Sequence, residues 1–292
     1  MALLLLLGSS AAVAPQRRAL PPSPYPTRLA AAAFAPRPRP IRCELLPSAA
    51  SEAAAAAGAA VLSLFGDVSS PRAFRRQSIA AREVEAEHAG RARELTYGEL
   101  RLDFFWELLA AAAPRAAERF VDVGSGCGRL VLAAALAHEW EWAAGVELLR
   151  GLHEVAEASH ASLREAARAE GVPLAPCRFV CAEAERALPS LLGAEGSTAV
   201  VFVYASCWPS VGPYLPRLSQ TLAAVLPSGS RVITVDKQLV SSDDATVKTQ
   251  ELWRFELLAS MSRPNYNTFE SVGYVYELVR GDLSAANSTL LT

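Results

Sequence analysis

Residues 120–130 read Phe-Val-Asp-Val-Gly-Ser-Gly-Cys-Gly-Arg-Leu, an apolar strand that passes through three glycines into an amphipathic helix. Glycines at such a junction let the backbone turn sharply and approach a ligand closely, with the helix N-terminus directed at it. A dinucleotide-binding turn has the spacing Gly-x-Gly-x-x-Gly. Here the spacing is Asp-x-Gly-x-Gly-x-Gly, and Arg129 stands where the last dinucleotide glycine would fall. A nicotinamide-dependent oxidoreductase is therefore disfavoured.

Strands and helices alternate from residue 119 onward, which predicts a parallel sheet with helices on both faces. Predicted strands cover residues 119–123, 144–147, 178–182, 200–204 and 231–236, and predicted helices cover 130–138 and 215–226. Two further strand-like segments, 252–257 and 272–278, are separated by a Pro/Asn loop rather than a helix. We expect an α/β fold with a doubly wound, mostly parallel seven-stranded sheet and an antiparallel C-terminal hairpin.

The first 43 residues differ from the rest in composition. They contain six arginines, no acidic residue and no lysine, with many Pro, Ala and Ser. The apolar run at 2–7 is too short to span a bilayer, and the composition is typical of a presequence. Residues 31–36, Ala-Ala-Ala-Phe-Ala-Pro, resemble the signal-peptide junction of proteins imported into secondary plastids of algae. We expect a disordered targeting presequence over 1–43 and a plastid location, with mitochondrion or nucleus as alternatives.

Charge and cysteine usage exclude several classes of site. Beyond residue 43 the chain carries 22 basic and 30 acidic residues, a net charge of −8. Proteins that bind nucleic acid through its phosphates show the opposite balance, so direct nucleic-acid binding is not expected. Membrane association is not expected either. The five cysteines are scattered without a Cys-x-x-Cys pair, which predicts free thiols. His153 and His160 share a predicted helix but lack a third ligand at metal-site spacing, so no metal is expected.

Composition also suggests how the chain is divided. Residues 44–71 include an alanine-rich stretch at 49–62, which predicts a linker or a weak helix. Residues 72–118 are expected to form an N-terminal helical lid that begins with a solvated Arg/Glu-rich helix over 72–94. The sheet domain covers 119–282 and a short tail covers 283–292.

The glycine turn resembles motif I of the class I S-adenosylmethionine-dependent methyltransferases, which have a Rossmann-like fold. That resemblance implies close backbone contact between the cofactor's methionine end and the turn formed by Gly124, Ser125, Gly126 and Gly128. Asp122 either stabilises the turn or receives the ligand's ammonium group, and both roles stay open.

Carboxylates also end the next two predicted strands. Glu147 follows Asp122 by twenty-five residues and is placed to accept both ribose hydroxyls of the cofactor. Glu183 is expected to mark the adenine amino group, although Glu185 is an equally available neighbour. In a doubly wound sheet all these contacts come from the carboxyl ends of consecutive strands.

Four segments in order give a more specific resemblance. They are Tyr-Gly-Glu at 97–99, Phe-Val-Asp-x-Gly-Ser-Gly-x-Gly at 120–128, Gly-Val-Glu at 145–147 and Val-Phe-Val at 201–203. This order resembles the disruptor-of-telomeric-silencing class of histone-lysine methyltransferases, the non-SET class, over residues 96–239. By that resemblance Glu99 lies over the methionine end of S-adenosylmethionine and Tyr97 shapes its lid.

One segment departs from that family. After the fourth strand the family carries an Asn-Asn-Phe type segment, whereas residues 204–208 here read Tyr-Ala-Ser-Cys-Trp. Tyr204 and Trp208 are expected to form an aromatic wall for a sulfonium or an amine, with core packing as the alternative. An Asn/Asp-Pro-Pro-Tyr box is also absent at this point, which disfavours methylation of base amino groups.

The sequence thus predicts an S-adenosylmethionine-dependent protein-lysine N-methyltransferase. Its partner is a protein with an accessible lysine, with a histone as one candidate. The alternatives are a small-molecule methyltransferase of an organelle and a cofactor-binding protein without turnover.

Overall fold

The computed structural model describes residues 48–67, 69–193, 196–243, 252–264 and 270–281. The predicted presequence at 1–43 and the predicted tail at 283–292 lie outside the described residues.

A seven-stranded sheet forms the centre of the fold, with the strand order β3-β2-β1-β4-β5-β7-β6. Its strands are β1 Arg119–Val123, β2 Trp142–Glu147, β3 Cys177–Cys181, β4 Ala199–Tyr204, β5 Arg231–Val235, β6 Trp253–Pro264 and β7 Glu270–Arg280. Strands β1 to β5 are parallel, and β7 pairs antiparallel with both β5 and β6. This confirms the predicted fold class. The terminal hairpin is longer than expected, because its alternating burial continues past the apolar segments that marked it.

Helices cover both faces of the sheet. They are α1 Ser48–Phe65, α2 Pro71–Glu87, α3 Leu102–Ala111, α4 Arg129–Ala137, α5 Arg150–Glu170, α6 Ala184–Leu192 and α7 Pro216–Val225. One apolar cluster includes residues of α6 and α7, and another includes residues of α1, α3 and α4. Strands β1 and β4 contribute side chains to both clusters, so their apolar runs read as central strands. Within the described residues, no helix is both long enough and apolar enough to cross a membrane.

The alanine-rich segment is a packed helix, so of the two predicted alternatives, a linker or a weak helix, the structure shows the helix. Helix α1 packs against α4, and Val61 and Phe65 are buried in the same apolar cluster as residues of α3 and α4. These two side chains lie four residues apart and so share one helix face. The alanines around them carry little apolar signal of their own, which is why composition alone reads as low complexity.

The expected solvated helix at 72–94 also differs from the structure. Helix α2 ends at Glu87, and a short 3-10 turn at Ala89–Arg91 follows it. Pro71 occupies the first turn, and the side chain of Ser70 accepts a hydrogen bond from the Ala73 N–H at 3.3 Å. One stripe of α2 is buried, and it includes the charged residue Arg76. The helix is therefore half embedded, and its buried arginine belongs to the site described below.

A buried ion pair lies at the opposite edge of the sheet from the glycine turn. The Arg231 guanidinium pairs with Glu118, with 2.6 Å between Nη1 and Oε1. The carboxylate also accepts hydrogen bonds from the Thr198 hydroxyl and from the Arg115 N–H. Burial by itself raises the pKa of Glu118, but the hydrogen bonds from Arg231 and Thr198 outweigh it and lower that pKa to about 2. The network ties the starts of β1, β4 and β5 together.

Candidate functional site

A cavity of about 650 Å³ opens at the carboxyl ends of β1, β2 and β4. Ligands of open α/β sheets bind at this edge, and the volume is in the range of small-molecule sites. The cavity brings together ten of the eleven residues predicted from the sequence, which are Tyr97, Glu99, Asp122, Gly124, Ser125, Gly126, Glu147, Glu183, Tyr204 and Trp208.

Backbone hydrogen bonds to β2 hold the glycine turn in place. The N–H groups of Gly124 and Ser125 donate to the Val146 carbonyl at 2.8 and 3.0 Å. Gly126 has a φ of +53°, and a Cβ placed on it would lie 2.6 Å from the Tyr97 ring. Glycine is required there because the aromatic ring of the Tyr-Gly-Glu segment packs directly on the turn.

Gly128 is the exception among the predicted cofactor residues. It precedes α4 with a φ of +78°, and a Cβ there would lie 2.7 Å from the Phe179 ring and 2.9 Å from the Ala156 Cβ. It is not among the residues that line the cavity. This glycine allows α4 to pack close to β3 and α5, a role that spacing alone does not distinguish from ligand contact.

Glu147 connects the turn to the start of α5. Its Oε2 accepts the Gly126 N–H at 2.7 Å and its Oε1 accepts the Leu149 N–H at 2.8 Å. Burial raises the pKa of Glu147, and these backbone donors only partly offset that rise. The carboxylate is thus oriented by two backbone groups at the end of β2.

Asp122 is 3% exposed and lies near Glu147. Burial and the charge of Glu147 raise the pKa of Asp122 to about 8. Among the described residues, no donor forms a hydrogen bond to its carboxylate. Of the two roles that the sequence left open, the turn-stabilising one therefore has no hydrogen bond to support it.

Glu99 is held by an arginine that sequence reasoning missed. Its Oε1 accepts hydrogen bonds from Arg76 Nε at 2.7 Å and the Tyr97 hydroxyl at 2.8 Å. Arg76 also donates to the Phe65 carbonyl at 3.0 Å, and both members of the Arg76–Glu99 pair are about 6% exposed. The Glu99 Oε2 atom is buried without a hydrogen-bond partner among the described residues, and Arg129 Nη1 lies 3.8 Å away. In the sequence, the available signal for Arg76 is that it shares a helix face with Ala73, Ala80 and Val84, the face that the structure buries.

The Tyr97 hydroxyl also lies 3.2 Å from the Cys127 sulfur. Burial raises the pKa of Tyr97 well above its usual value and raises the pKa of Cys127 to about 11. Both groups therefore stay protonated at neutral pH. Cys127 occupies the variable position between Gly126 and Gly128, where the sequence pattern assigns no role.

The two candidate adenine markers both line the cavity and both have cationic neighbours. Glu183 forms an ion pair with Arg91, whose Nε also lies 3.0 Å from Glu94 Oε2. Glu185 lies 3.8 Å from the exposed Arg217. The contact from the 3-10 turn to the start of α6 depends on tertiary packing, so the sequence offered no signal for it.

The two residues of the predicted aromatic wall both line the cavity, Trp208 beside the glycine turn and Tyr204 beside the Tyr-Gly-Glu segment. The Trp208 indole lies 3.7 Å from where a Cβ on Gly124 would be, and the Tyr204 ring lies 3.6 Å from the corresponding position on Gly98. Both side chains are partly buried and also pack against the apolar clusters. Cavity lining and core packing, which the sequence treated as alternatives, thus occur together.

No metal site is expected from the sequence. In the described part of the chain, one group of side chains lies close enough together to hold a metal ion, formed by Glu83, Glu87 and His88. The Glu83 carboxylate already accepts the N–H groups of Arg150 and Gly151 at 2.6 and 2.8 Å, at the start of α5. His153 lies 3.5 Å from Glu157 at the same helix, and it does not join this cluster.

A profile of the family described as "Histone methylation protein DOT1" matches residues 76–252, which is more than half of the chain. The chain belongs to this family. The match begins at Arg76 on α2 and includes the Tyr-Gly-Glu segment, the glycine turn and the strand-end carboxylates. A DOT1 family member with this fold is an S-adenosylmethionine-dependent methyltransferase, and the family resemblance carried by the motifs is confirmed.

The solved structures that are similar to this DOT1 family chain have low sequence identity to it. An RNA methyltransferase from Salinibacter ruber in complex with S-adenosyl-L-homocysteine is 19% identical, with 62% of this chain and 93% of that chain covered and a TM-score of 0.40. The putative methyltransferase yhhF from Escherichia coli is 16% identical, with 62% and 87% covered and a TM-score of 0.40. Geranyl diphosphate C-methyltransferase from Streptomyces coelicolor is 11% identical, with 59% and 74% covered and a TM-score of 0.40. No curated protein matches the chain in sequence.

The residues present fit the family's cofactor. S-adenosylmethionine carries a sulfonium, an ammonium and a ribose with two hydroxyls, and the cavity is lined by the carboxylates of Glu99, Asp122 and Glu147. Two buried oxygens in that lining, Glu99 Oε2 and Ser125 Oγ, have no hydrogen-bond partner among the described residues. Unpartnered buried polar atoms are costly, and a polar ligand in the cavity offers them partners.

Proposed function

We propose that this DOT1 family member methylates the side-chain amine of a lysine in a protein. The observation that supports this most directly is that two aromatic residues line the cavity, Trp208 beside Gly124 of the glycine turn and Tyr204 beside Gly98 of the Tyr-Gly-Glu segment. An aromatic wall next to a carboxylate-lined cofactor cavity suits an approaching lysine, since its ammonium is attracted to ring faces. Membership of a histone methylation family supports a protein substrate.

Bound S-adenosylmethionine supplies the electrophilic methyl carbon. The protein therefore has to bind the cofactor, align the lysine amine with the methyl carbon and exclude water from both. We assign Glu147 to the ribose hydroxyls, Asp122 and Glu99 to the cationic methionine end, and Glu183 or Glu185 to the adenine. The backbone of the turn from Gly124 to Gly126, on which the Tyr97 ring packs, would contact the cofactor.

The lysine amine has to lose its proton before it attacks. Its ordinary pKa is near 10.4, and transfer into a poorly hydrated aromatic channel favours the neutral form. We assign that channel to Tyr204 and Trp208, so that desolvation replaces a dedicated general base and the proton passes to bulk water as the amine enters the channel. Because the family's two amides are absent here, the aromatic side chains carry the alignment of the amine.

Transfer of a tritiated methyl group in a cell extract tests the reaction class. We expect label in protein, at lysine, and none in protein incubated with the Glu147→Ala variant. Label confined to small metabolites supports the alternative of a small-molecule methyltransferase. Calorimetric binding of the cofactor with no transferred label supports a binding protein without turnover.

Replacement of Tyr204 by alanine separates catalysis from cofactor binding. We expect turnover to fall by about 10- to 100-fold, because a misaligned nucleophile loses most of the benefit of positioning. Affinity for S-adenosylhomocysteine, measured by calorimetry, should stay unchanged. An equal loss of turnover and affinity contradicts the substrate-side role of Tyr204.

For location we propose a plastid, on the basis of the arginine-rich presequence, which lies outside the described residues. A fluorescent protein fused after residues 1–44 should accumulate in the plastid. Fluorescence in mitochondria or the nucleus supports those alternatives, and exclusion from the nucleus removes nuclear histones as targets.

A further inference from the structure

We propose that Asp236 and Lys237, directly after β5, act as a clamp that positions Trp208 against the glycine turn. This inference rests on the proposed function, because it assigns a role in alignment to residues outside the cavity lining. The clamped segment is residues 205–208, which follow β4 and replace the amide-bearing segment of the family. This segment has no regular secondary structure, so something other than a helix or strand has to hold it.

Three consecutive residues after or at the end of β5 each hold a different point of that segment. The Ala205 N–H donates to the Val235 carbonyl at 3.1 Å. The Ser206 hydroxyl donates to the Asp236 carboxylate, and the Lys237 ammonium donates to the Trp208 carbonyl. A further hydrogen bond of 3.1 Å from the Trp208 N–H to the Ala205 carbonyl closes the turn on itself.

The backbone of Asp236 adopts a conformation that needs support from its surroundings. Its φ is +69°, in the left-handed region that non-glycine residues rarely occupy. Three hydrogen bonds to β7 stabilise it, from the Asp236 N–H to the Val272 carbonyl at 2.7 Å, from the Val272 N–H to Asp236 Oδ1 at 3.1 Å and from the Ser271 hydroxyl to Asp236 Oδ2 at 3.5 Å. The same Oδ2 atom accepts the Ser206 hydroxyl, so one carboxylate connects the terminal hairpin to the segment that carries Trp208.

Lys237 is fixed in turn by its own backbone. The Thr234 hydroxyl donates to the Lys237 carbonyl at 2.6 Å, and Thr234 is fully buried in β5. The side chain then reaches a neutral carbonyl, and such charge-assisted hydrogen bonds are stronger than neutral ones. Lysine occurs only twice in the whole sequence, at 237 and 248. One of these two lysines donates to the backbone carbonyl of Trp208.

The position of the Trp208 ring depends on this clamp, because the lysine contacts the carbonyl of the same residue. The indole lies next to Gly124, and because glycine has no side chain, the turn does not fix the position of the ring. Lys237 and Asp236 do not line the cavity, so they act through Trp208 as positioning residues.

Lys237→Met tests the clamp, since it removes the donor and keeps an unbranched side chain. We expect turnover to fall by about 10-fold or more while affinity for S-adenosylhomocysteine stays unchanged. Lys237→Arg, which keeps a cationic donor, should recover part of the turnover. The matched control is Arg254→Met, which removes an exposed cation on β6 and should change neither quantity.

A readout without turnover uses the protein labelled with 5-fluorotryptophan. The chain has five tryptophans, and comparison with Trp208→Phe identifies the fluorine resonance of Trp208. We expect that resonance to move or broaden in Lys237→Met and in Ser206→Ala, and to stay in place in Arg254→Met. An unchanged Trp208 resonance in Lys237→Met overturns the clamp. If the wild-type protein transfers no methyl group, the proposed function fails, while the fluorine measurement still decides whether the clamp holds Trp208.

Discussion

At the scale of single residues, the site contains acidic groups that are buried before any cation arrives. Asp122 and Glu147 lie close together at the ends of neighbouring strands, and burial raises the pKa of both. A buried carboxylate next to a second one favours its neutral form until a cationic group approaches. This arrangement is poorly stabilising for the empty fold and well suited to a ligand that carries an ammonium and a sulfonium.

Binding of the cofactor should therefore release a proton from Asp122. With a pKa of about 8 in the free protein, Asp122 is mostly protonated at pH 7, and a bound cation favours its ionised form. We expect release of about one proton per cofactor at pH 7, and affinity that rises with pH towards 8. Calorimetry in buffers of different ionisation enthalpy measures the release.

Asp122→Asn is the matched variant for that measurement. It should abolish the proton release and lower the affinity. The ligand-free variant should also unfold at a higher temperature at pH 8 than the wild type. The reason is that the pKa of Asp122 is higher in the folded protein than in the unfolded chain. The wild type therefore loses stability as pH rises towards the folded-state pKa of about 8. Proton release of the same size in Asp122→Asn contradicts the assignment.

Gly126 provides a second test at a single residue. Gly126→Ala places a methyl group 2.6 Å from the Tyr97 ring at a φ of +53°, so the Tyr-Gly-Glu segment has to move off the turn. Gly171→Ala is the control, because Gly171 has a similar φ of +67° at the end of α5 with open space around it. The control should cost about 1 kcal/mol of stability and leave cofactor affinity intact. Gly126→Ala should lose both stability and affinity.

At the scale of elements, the N-terminal helices complete the site that the sheet begins. Helix α1 supplies the Phe65 carbonyl that accepts a hydrogen bond from Arg76, and α2 supplies Arg76 itself. Arg76 in turn holds Glu99 at the cavity. The order α1, α2 and the Tyr-Gly-Glu segment thus forms one chain of contacts from the surface of the sheet domain to the cofactor cavity.

Phe65→Ala measures how far α1 belongs to the fold. Phe65 is 2% exposed, and truncation of such a core phenylalanine costs about 3–5 kcal/mol. Leu62→Ala on the same helix is the control, because Leu62 is 44% exposed and should change stability by less than about 0.5 kcal/mol. If urea unfolding shows equally small changes in the free energy of unfolding for the two variants, α1 does not contribute to the core and acts as a linker.

At the scale of the whole molecule, the sheet separates a stabilising edge from a functional one. The amino-terminal edge holds the Glu118–Arg231 pair, whose hydrogen-bonding groups are largely satisfied. The carboxyl-terminal edge holds the cavity, with two buried oxygens that lack a hydrogen-bond partner among the described residues and with carboxylates of raised pKa. Functional edges of this kind trade some stability of the fold for ligand binding.

The buried pair predicts a loss of stability in acid. The pKa of Glu118 is about 2 in the folded protein and near 4.5 when unfolded, so its contribution is complete above pH 4.5. It is lost as pH falls from 4.5 towards 2, because the unfolded state binds the proton first. Glu118→Gln should flatten the pH dependence of the unfolding free energy in that window, as measured by chemical denaturation. A slope identical to that of the wild type rules out this origin.

Local patterns in the chain were enough for the architecture and for most of the cavity. The run of alternating strands and helices, the turn from Gly124 to Gly126 and the carboxylates at strand ends all follow from periodicity and backbone conformation, which neighbouring residues dictate. Gly128, Arg76 and the Lys237 clamp could not be read in this way. Their roles arise from contacts between side chains or backbone groups that lie far apart in the chain, and these exist only after the helices and the terminal hairpin have packed on the sheet.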